Sequence, residues 1–184
     1  MKATGIVRRI DDLGRVVIPK EIRRTMRIRE GDPLEIYTDR EGEVIFKKYS
    51  PIGELAGFAG EYAETLHKVC GISVLIFDRD AVIATAGVPR REYADKKMSE
   101  ELEEIAERRQ LYVRRSREER IPVVADGGNH HLNCAMPIIT EGDMIGCVCT
   151  VTSDETQDAP AISPESEAKL IQTAATFLSK QMES

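Results

Sequence analysis

The chain has 184 residues, 41% of them AVILMFWYC and a further 13 Gly. Close to half is therefore apolar, as in soluble globular proteins, which excludes general disorder, collagen-like repeats and low complexity. The formal net charge of -6 hides an asymmetry: residues 1–29 hold nine Lys/Arg against three acids, a local +6, so the remainder carries -12. A basic head on an acidic body makes a polyanion the obvious partner for the head, with a merely solvated basic surface as the alternative. The longest apolar run, residues 71–77, is far shorter than the ~20 residues of a membrane span, and residues 1–9 hold no apolar stretch of the signal-peptide kind. Four Cys are too few for a disulfide scaffold and suit a reducing compartment, so a cytoplasmic protein with no membrane contact is expected.

In chain order, Thr4 to Ile10 alternates as a strand, Asp11-Asp12-Leu13-Gly14 is a turn cluster, and Arg15 to Ile18 is a second, β-branched strand. Pro19 suits the first turn of a helix over Lys20 to Met26. Leu34 to Tyr37 and Val44 to Lys48 form a hairpin across a polar loop. This β-rich unit of about 50 residues is small enough that it needs a partner to complete its core. Pro51 marks the hinge and sets the domains at 1–50 and 51–184.

Beyond the hinge, Ile52, Leu55, Ala59, Tyr62, Leu66 and Val69 recur as a helical seam, and Gly71 stops that helix. Two strands follow, Ile72 to Phe77 and Ala81 to Thr85, around an Asp78-Arg79-Asp80 turn. Ser99 caps a helix that turns Leu102, Ile105 and Ala106 inward. A strand is expected near Leu111 to Arg114, and a hairpin pairs Cys134 to Thr140 with Met144 to Thr152. After a mobile connection over 154–161, Ser163-Pro164-Glu165 opens a last helix with Ile171, Ala174, Ala175, Leu178 and Met182 on one stripe. The fold class is α+β. The 52–69 and 164–182 helices carry more apolar surface than one small sheet needs and are expected to pack between chains.

Thr4-Gly-Ile-Val-Arg-Arg-Ile-Asp-Asp-Leu-Gly-Arg-Val-Val-Ile-Pro-Lys-Glu-Ile-Arg-Arg-Thr-Met, followed by Gly31-Asp-Pro-Leu-Glu-Ile-Tyr, resembles the AbrB-type DNA-binding domain of bacterial transition-state regulators over residues 1 to about 52. Strand and helix order make the second half similar to a GAF domain, and the whole chain resembles AbrB-headed regulators of spore formation. The resemblance implies a swapped-hairpin dimer whose two chains interleave their strands. It also implies contacts with double-stranded DNA through Arg8, Arg15, Arg23 and Arg24, a sensory body for an unidentified small molecule, and control of sporulation genes in the developing spore, by activation or repression. From the residues themselves, Lys20, Arg23, Arg24 and Arg27 fall at i, i+3, i+4 and i+7, one cationic face of a helix, with Lys2 and Arg9 adding charge nearby. Arginine forks grip phosphate or read guanine edges. No aromatic interleaves with these cations, which argues against a single-strand stacking platform. Two dimers joined through the 52–69 and 164–182 helices make a tetramer.

Other clusters are weaker. His130-His131, Cys134, Cys147 and Cys149 form a conceivable metal or redox group, since Cys147 and Cys149 share one side of a strand and a hairpin brings Cys134 near. The favoured reading makes these Cys small core residues and puts both His in the Gly127-Gly128-Asn129 loop. GAF folds include redox enzymes such as free methionine sulfoxide reductases, but the Cys spacing differs from theirs, and the pattern of cyclic-nucleotide GAF domains is absent. Arg114, Arg115, Arg117 and Arg120 are interspersed with Glu118 and Glu119 and read as a solvated loop. No catalytic residue, metal or cofactor is expected. The rival class is a redox or metal-dependent enzyme with an accessory head. An antitoxin, a third reading, expects a short disordered tail in place of a folded body.

Overall fold

The computed structural model of the chain describes residues 5–50, 52, 55–116, 118–153 and 162–183. Lys2, Pro51, Arg117 and the 154–161 connection lie outside the described residues. Two compact units divide the chain, Met1–Tyr49 and Ser50–Ser184.

In the first unit α1 (Lys20–Thr25) follows Pro19, whose fixed φ suits a helix entry. Strands β1 (Leu34–Thr38) and β2 (Val44–Lys48) pair antiparallel, from Leu34 opposite Lys48 to Thr38 opposite Val44. The strands expected over residues 4–10 and 15–18 form no ladder among the described residues: residues 5–10 and 15–18 are unassigned there, and β1 and β2 make up a two-stranded sheet. A strand exists only against a partner backbone, and among the described residues of one chain these segments have none. Their apolar side chains stand in solvent, Val7 at 87% and Val17 at 72% exposure.

The α1 helix also stops earlier than the Lys20–Arg27 spacing predicts. Arg27 takes a left-handed φ of 51°, and the Ile28 N–H donates to the Arg23 carbonyl at 2.7 Å while the Arg27 N–H donates to Arg24 at 3.2 Å. This is a Schellman-type closure with an arginine where glycine is usual. Arg27 thereby leaves the helical face that Lys20, Arg23 and Arg24 share.

The second unit is a five-stranded antiparallel sheet in the order β4-β3-β7-β6-β5. Its strands are β3 (Ser73–Asp78), β4 (Val82–Ala86), β5 (Tyr112–Val113), β6 (His130–Thr140) and β7 (Asp143–Ser153). Helix α2 (Ala56–Cys70) precedes the sheet and ends on Gly71, whose φ of 68° is the left-handed C-cap that a residue with Cβ adopts only at a cost. Helix α5 (Pro164–Met182) closes the unit; Ser163 Oγ accepts from the Ser166 N–H at its start. These two helices cover one sheet face, burying Ala59, Ala63, Leu66, Ile171, Ala174, Ala175 and Leu178 against Val74, Ile76, Ile138 and Val148. The other face packs Leu75, Phe77, Cys147 and Cys149 against α4 (Glu100–Glu107), with Leu102, Ile105 and Ala106 turned inward as their 3–4 spacing predicts and Ser99 Oγ accepting from the Leu102 N–H at 3.1 Å. A short helix α3 (Arg90–Tyr93), absent from the sequence reading, lies beside β4.

The stripe on α5 and the Ala59 and Leu66 positions of α2 are thus consumed within the chain's own core, contrary to the expectation that they pack between chains. A small sheet needs both of its faces covered, and two helices of this length supply one cover. Phe58, Val69 and Phe177 face outward, with Tyr62 half-buried beside them. The rings of Phe58 and Tyr62 lie 5.6 and 5.7 Å from that of Phe177, and Val69 is 77% exposed.

Candidate nucleic-acid interface

The turn between the two extended segments of the head is organised by one carboxylate. Asp11 Oδ1 accepts the backbone N–H groups of Leu13 and Arg15 at 3.0 and 2.7 Å, and Oδ2 accepts Nε of Arg15 at 2.7 Å. The Gly14 N–H closes back on the Asp11 carbonyl at 3.0 Å, and Gly14 holds φ 77°. The Arg15 backbone N–H, followed by its guanidinium, holds the Asp11 carboxyl below its ordinary range. Arg8, Arg9, Arg15, Lys20 and Arg24 are exposed, whereas Arg23 and Arg27 are half-buried. The buried Nε of Arg23 has no hydrogen-bond partner among the described residues. The sequence-predicted cations that the structure describes thus sit on three local pieces of the head, namely the segment before the turn, the turn itself and α1 with the residues that close it.

In the body, where the resemblance implies a small-molecule sensor, the described residues between the sheet and the 88–133 segment are packed with the chain's own side chains. Tyr93, Met98, Leu102, Val123 and Val124 are all buried there. Tyr93 is fully enclosed, with its hydroxyl 2.8 Å from Nδ1 of His130 and the two rings edge to face at 5.5 Å. A Cβ on Gly128 would meet the Tyr93 hydroxyl at 2.7 Å, so the loop closes over that ring only with glycine at 128. Lys96 and Asp126 pair across the outside at 3.0 Å.

The cysteine and histidine residues do not assemble. His130 and His131 lie on β6, opposite Ser153 and Thr152, and not in the preceding loop as expected. Cys134 faces the α2–α5 side while Cys147 and Cys149 face the α4 side, so the three thiols do not share a face. The cause is a bulge. A straight count from the Thr140–Asp143 pair sets Cys134 opposite Cys149, but the register shifts between Ile138 and Ile139 and Cys134 pairs with Thr150 instead. A slip of one residue sends a side chain to the opposite face. Among the described residues no group of three His, Cys, Asp or Glu is placed to hold a metal ion.

Burial pushes the thiols of Cys134 and Cys147 up to about 12 and that of Cys149 well above 9.0. All three remain thiols at neutral pH, and it is the thiolate that attacks. Because the unfolded chain ionises these groups at lower pH than the folded one, the stability they contribute is complete below about pH 9 and is lost as pH rises toward 12. The melting temperature of the protein is expected to fall over that window. A thiol reagent at pH 8 is expected to modify the half-buried Cys70 well before the other three, and rapid labelling of Cys134 would contradict this placement.

Residues 54–183 match the family model described as "Stage V sporulation protein T C-terminal, transcription factor". Residues 7–53 match that described as "Antidote-toxin recognition MazE, bacterial antitoxin". Stage V sporulation protein T of Bacillus subtilis (strain 168) is 53% identical over 185 residues, which take in 100% of this chain and 99% of that one. The chain belongs to the stage V sporulation protein T family. Within this family of sporulation transcription factors the head is AbrB-like: the transition state regulatory protein AbrB of the same bacterium is 65% identical over 51 residues, 28% of this chain and 52% of that protein. The body has the GAF fold. The type II free methionine-R-sulfoxide reductase from Thermoplasma acidophilum superimposes with a TM-score of 0.53 at 14% identity, covering 71% of this chain and 94% of that one, a likeness of fold alone. Among the described residues of this stage V sporulation protein T relative, no helix is long and apolar enough to cross a membrane.

Proposed function

We propose that the chain is a cytoplasmic regulator that activates or represses sporulation genes in the developing spore. Residues 1–50 form an interleaved dimer that grips double-stranded DNA with Arg8, Arg15, Arg23 and Arg24, aided by Lys2, Arg9, Lys20 and Arg27. The observation that carries the reading is the display of Arg8, Arg9, Arg15, Lys20 and Arg24 on the surface of a head that leaves its own apolar strand segments uncovered. A second chain supplies the missing ladders and doubles the cationic surface, and exposed guanidinium groups are suited to phosphates and base edges.

Residues 51–184 join two such dimers and respond to a small molecule. Phe58 and Phe177, exposed beside the half-buried Tyr62, support the joining role, because exposed aromatics on two adjacent helices are a surface that a second copy covers. The sensing role is supported by the enclosure of Tyr93 under the Gly127-Gly128 loop. A ligand that displaces this ring binds two states of the body differently, which is what coupling to the heads requires. No enzymatic role is assigned, in keeping with the protonated, separated thiols.

The test replaces residues 51–184 with an unrelated tetramerising coiled coil and compares promoter output with wild type. A chimera that binds the same DNA but loses condition-dependent regulation supports a sensing body. A chimera that regulates identically reduces the body to an oligomerisation device.

A further inference from the structure

An acid at the tip of a surface that faces a polyanion is, on Coulomb's law alone, a cost to binding. Asp11 sits there, between Arg8, Arg9 and Arg15, and is not spent on solvent. One of its oxygens orders the turn by taking the backbone N–H groups of Leu13 and Arg15, and the other takes Nε of Arg15. The side chains of Asp11 and Arg15 are 36% and 69% exposed, so the pair itself adds little to stability. Arginine carries five N–H donors in a rigid fork, and only Nε of Arg15 is engaged by a described residue. Its four terminal N–H donors are left for a partner.

We propose that Asp11 is a positioning residue for DNA binding: it fixes the backbone of the turn and the plane of the Arg15 guanidinium in advance, so that the terminal amino groups meet phosphate or a guanine edge without first being ordered. This rests on the reading that Arg15 contacts DNA. Ordering a long side chain during association lowers affinity, and holding it beforehand recovers that loss. The favourable effect on Arg15 outweighs the repulsion between one exposed carboxylate and screened phosphates. The dimer contains two such loops, so the effect enters twice.

The test is a double-mutant cycle on the full chain, with affinity for a labelled duplex measured at fixed salt for wild type, Asp11→Ala, Arg15→Ala and the double variant. Asp11→Ala is expected to weaken binding about tenfold, the size expected from immobilising one rotamer-rich side chain in each of two loops. In the Arg15→Ala background the same change is expected to leave affinity unchanged or to raise it slightly, because only the repulsion is then removed. Asp11→Asn retains an oxygen for the two backbone N–H groups but replaces the charged partner of Nε. It is expected to fall between wild type and Asp11→Ala, and it keeps the cycle readable if Asp11→Ala unfolds the turn. Tighter binding by Asp11→Ala, or equal weakening in both backgrounds, overturns the positioning role while leaving Arg15 a DNA contact. Undiminished binding by Arg15→Ala overturns the reading of Arg15 itself, and the proposal with it.

Discussion

Replacing Arg23 and Arg24 together by alanine is expected to weaken duplex binding by at least ~100-fold, with the fold retained. Each arginine that meets a base edge contributes about 1–3 kcal/mol, and each that meets phosphate contributes close to one unit of salt slope. The dimer presents each position twice, so four cations vanish and the slope of log K against log salt should shrink by about 3.6. Stability should hold, because Arg24 is exposed and the buried Nε of Arg23 has no hydrogen-bond partner to orphan among the described residues. Undiminished affinity in this variant would remove α1 from the interface. A lower melting temperature with unchanged affinity would make both arginines structural.

Two substitutions on α5, six positions apart, should have opposite consequences. Ile171 is fully buried against the sheet, and Ile171→Ala is expected to cost about 2–5 kcal/mol through lost burial and an unfilled cavity, a large share of the ~5–15 kcal/mol that holds a domain folded. Phe177 is 38% exposed in the single chain and packs its ring against those of Phe58 and Tyr62. Phe177→Glu is expected to leave the body folded and to split the assembly, so light scattering should give half the wild-type mass. Wild-type mass in folded Phe177→Glu protein would reject joining of dimers through this face. The same logic disqualifies Leu66 as a probe of the interface, because a charge there breaks the core of its own chain.

The elements that local chemistry dictates were legible in the sequence. Ser99 ahead of Leu102 and Ile105, Gly71 after a periodic run, and Ser163-Pro164 at the head of α5 each read as they stand, because a cap or a left-handed residue acts within one turn. The β6–β7 hairpin was legible for the same reason, its two strands meeting across Glu141-Gly142. Features fixed by distant partners were not. The head segments 4–10 and 15–18 alternate like strands, yet among the described residues nothing pairs with residues 5–10 or 15–18. The bulge at Ile138–Ile139 leaves no mark in the sequence, and it alone separates Cys134 from the face of Cys147 and Cys149. Helix α3 is four residues long, too short for periodicity to reveal, and through it the buried Tyr93–His130 contact escaped notice. At the candidate interface the residue types and spacing exposed the cations, but not the early end of α1 at Thr25 that draws Arg27 off its face, nor the use of Asp11 as the clamp on Arg15.

The salt dependence of duplex binding by the full chain bears most directly on whether these arginines make the protein a DNA-binding regulator. Four arginines from each of two heads, if all neutralise phosphates, give a slope of log K against log salt of about -7. A slope of that order, which shrinks stepwise as Arg8, Arg15, Arg23 and Arg24 are replaced, is the predicted result. A slope near zero, or a steep one untouched by all four replacements, would contradict it.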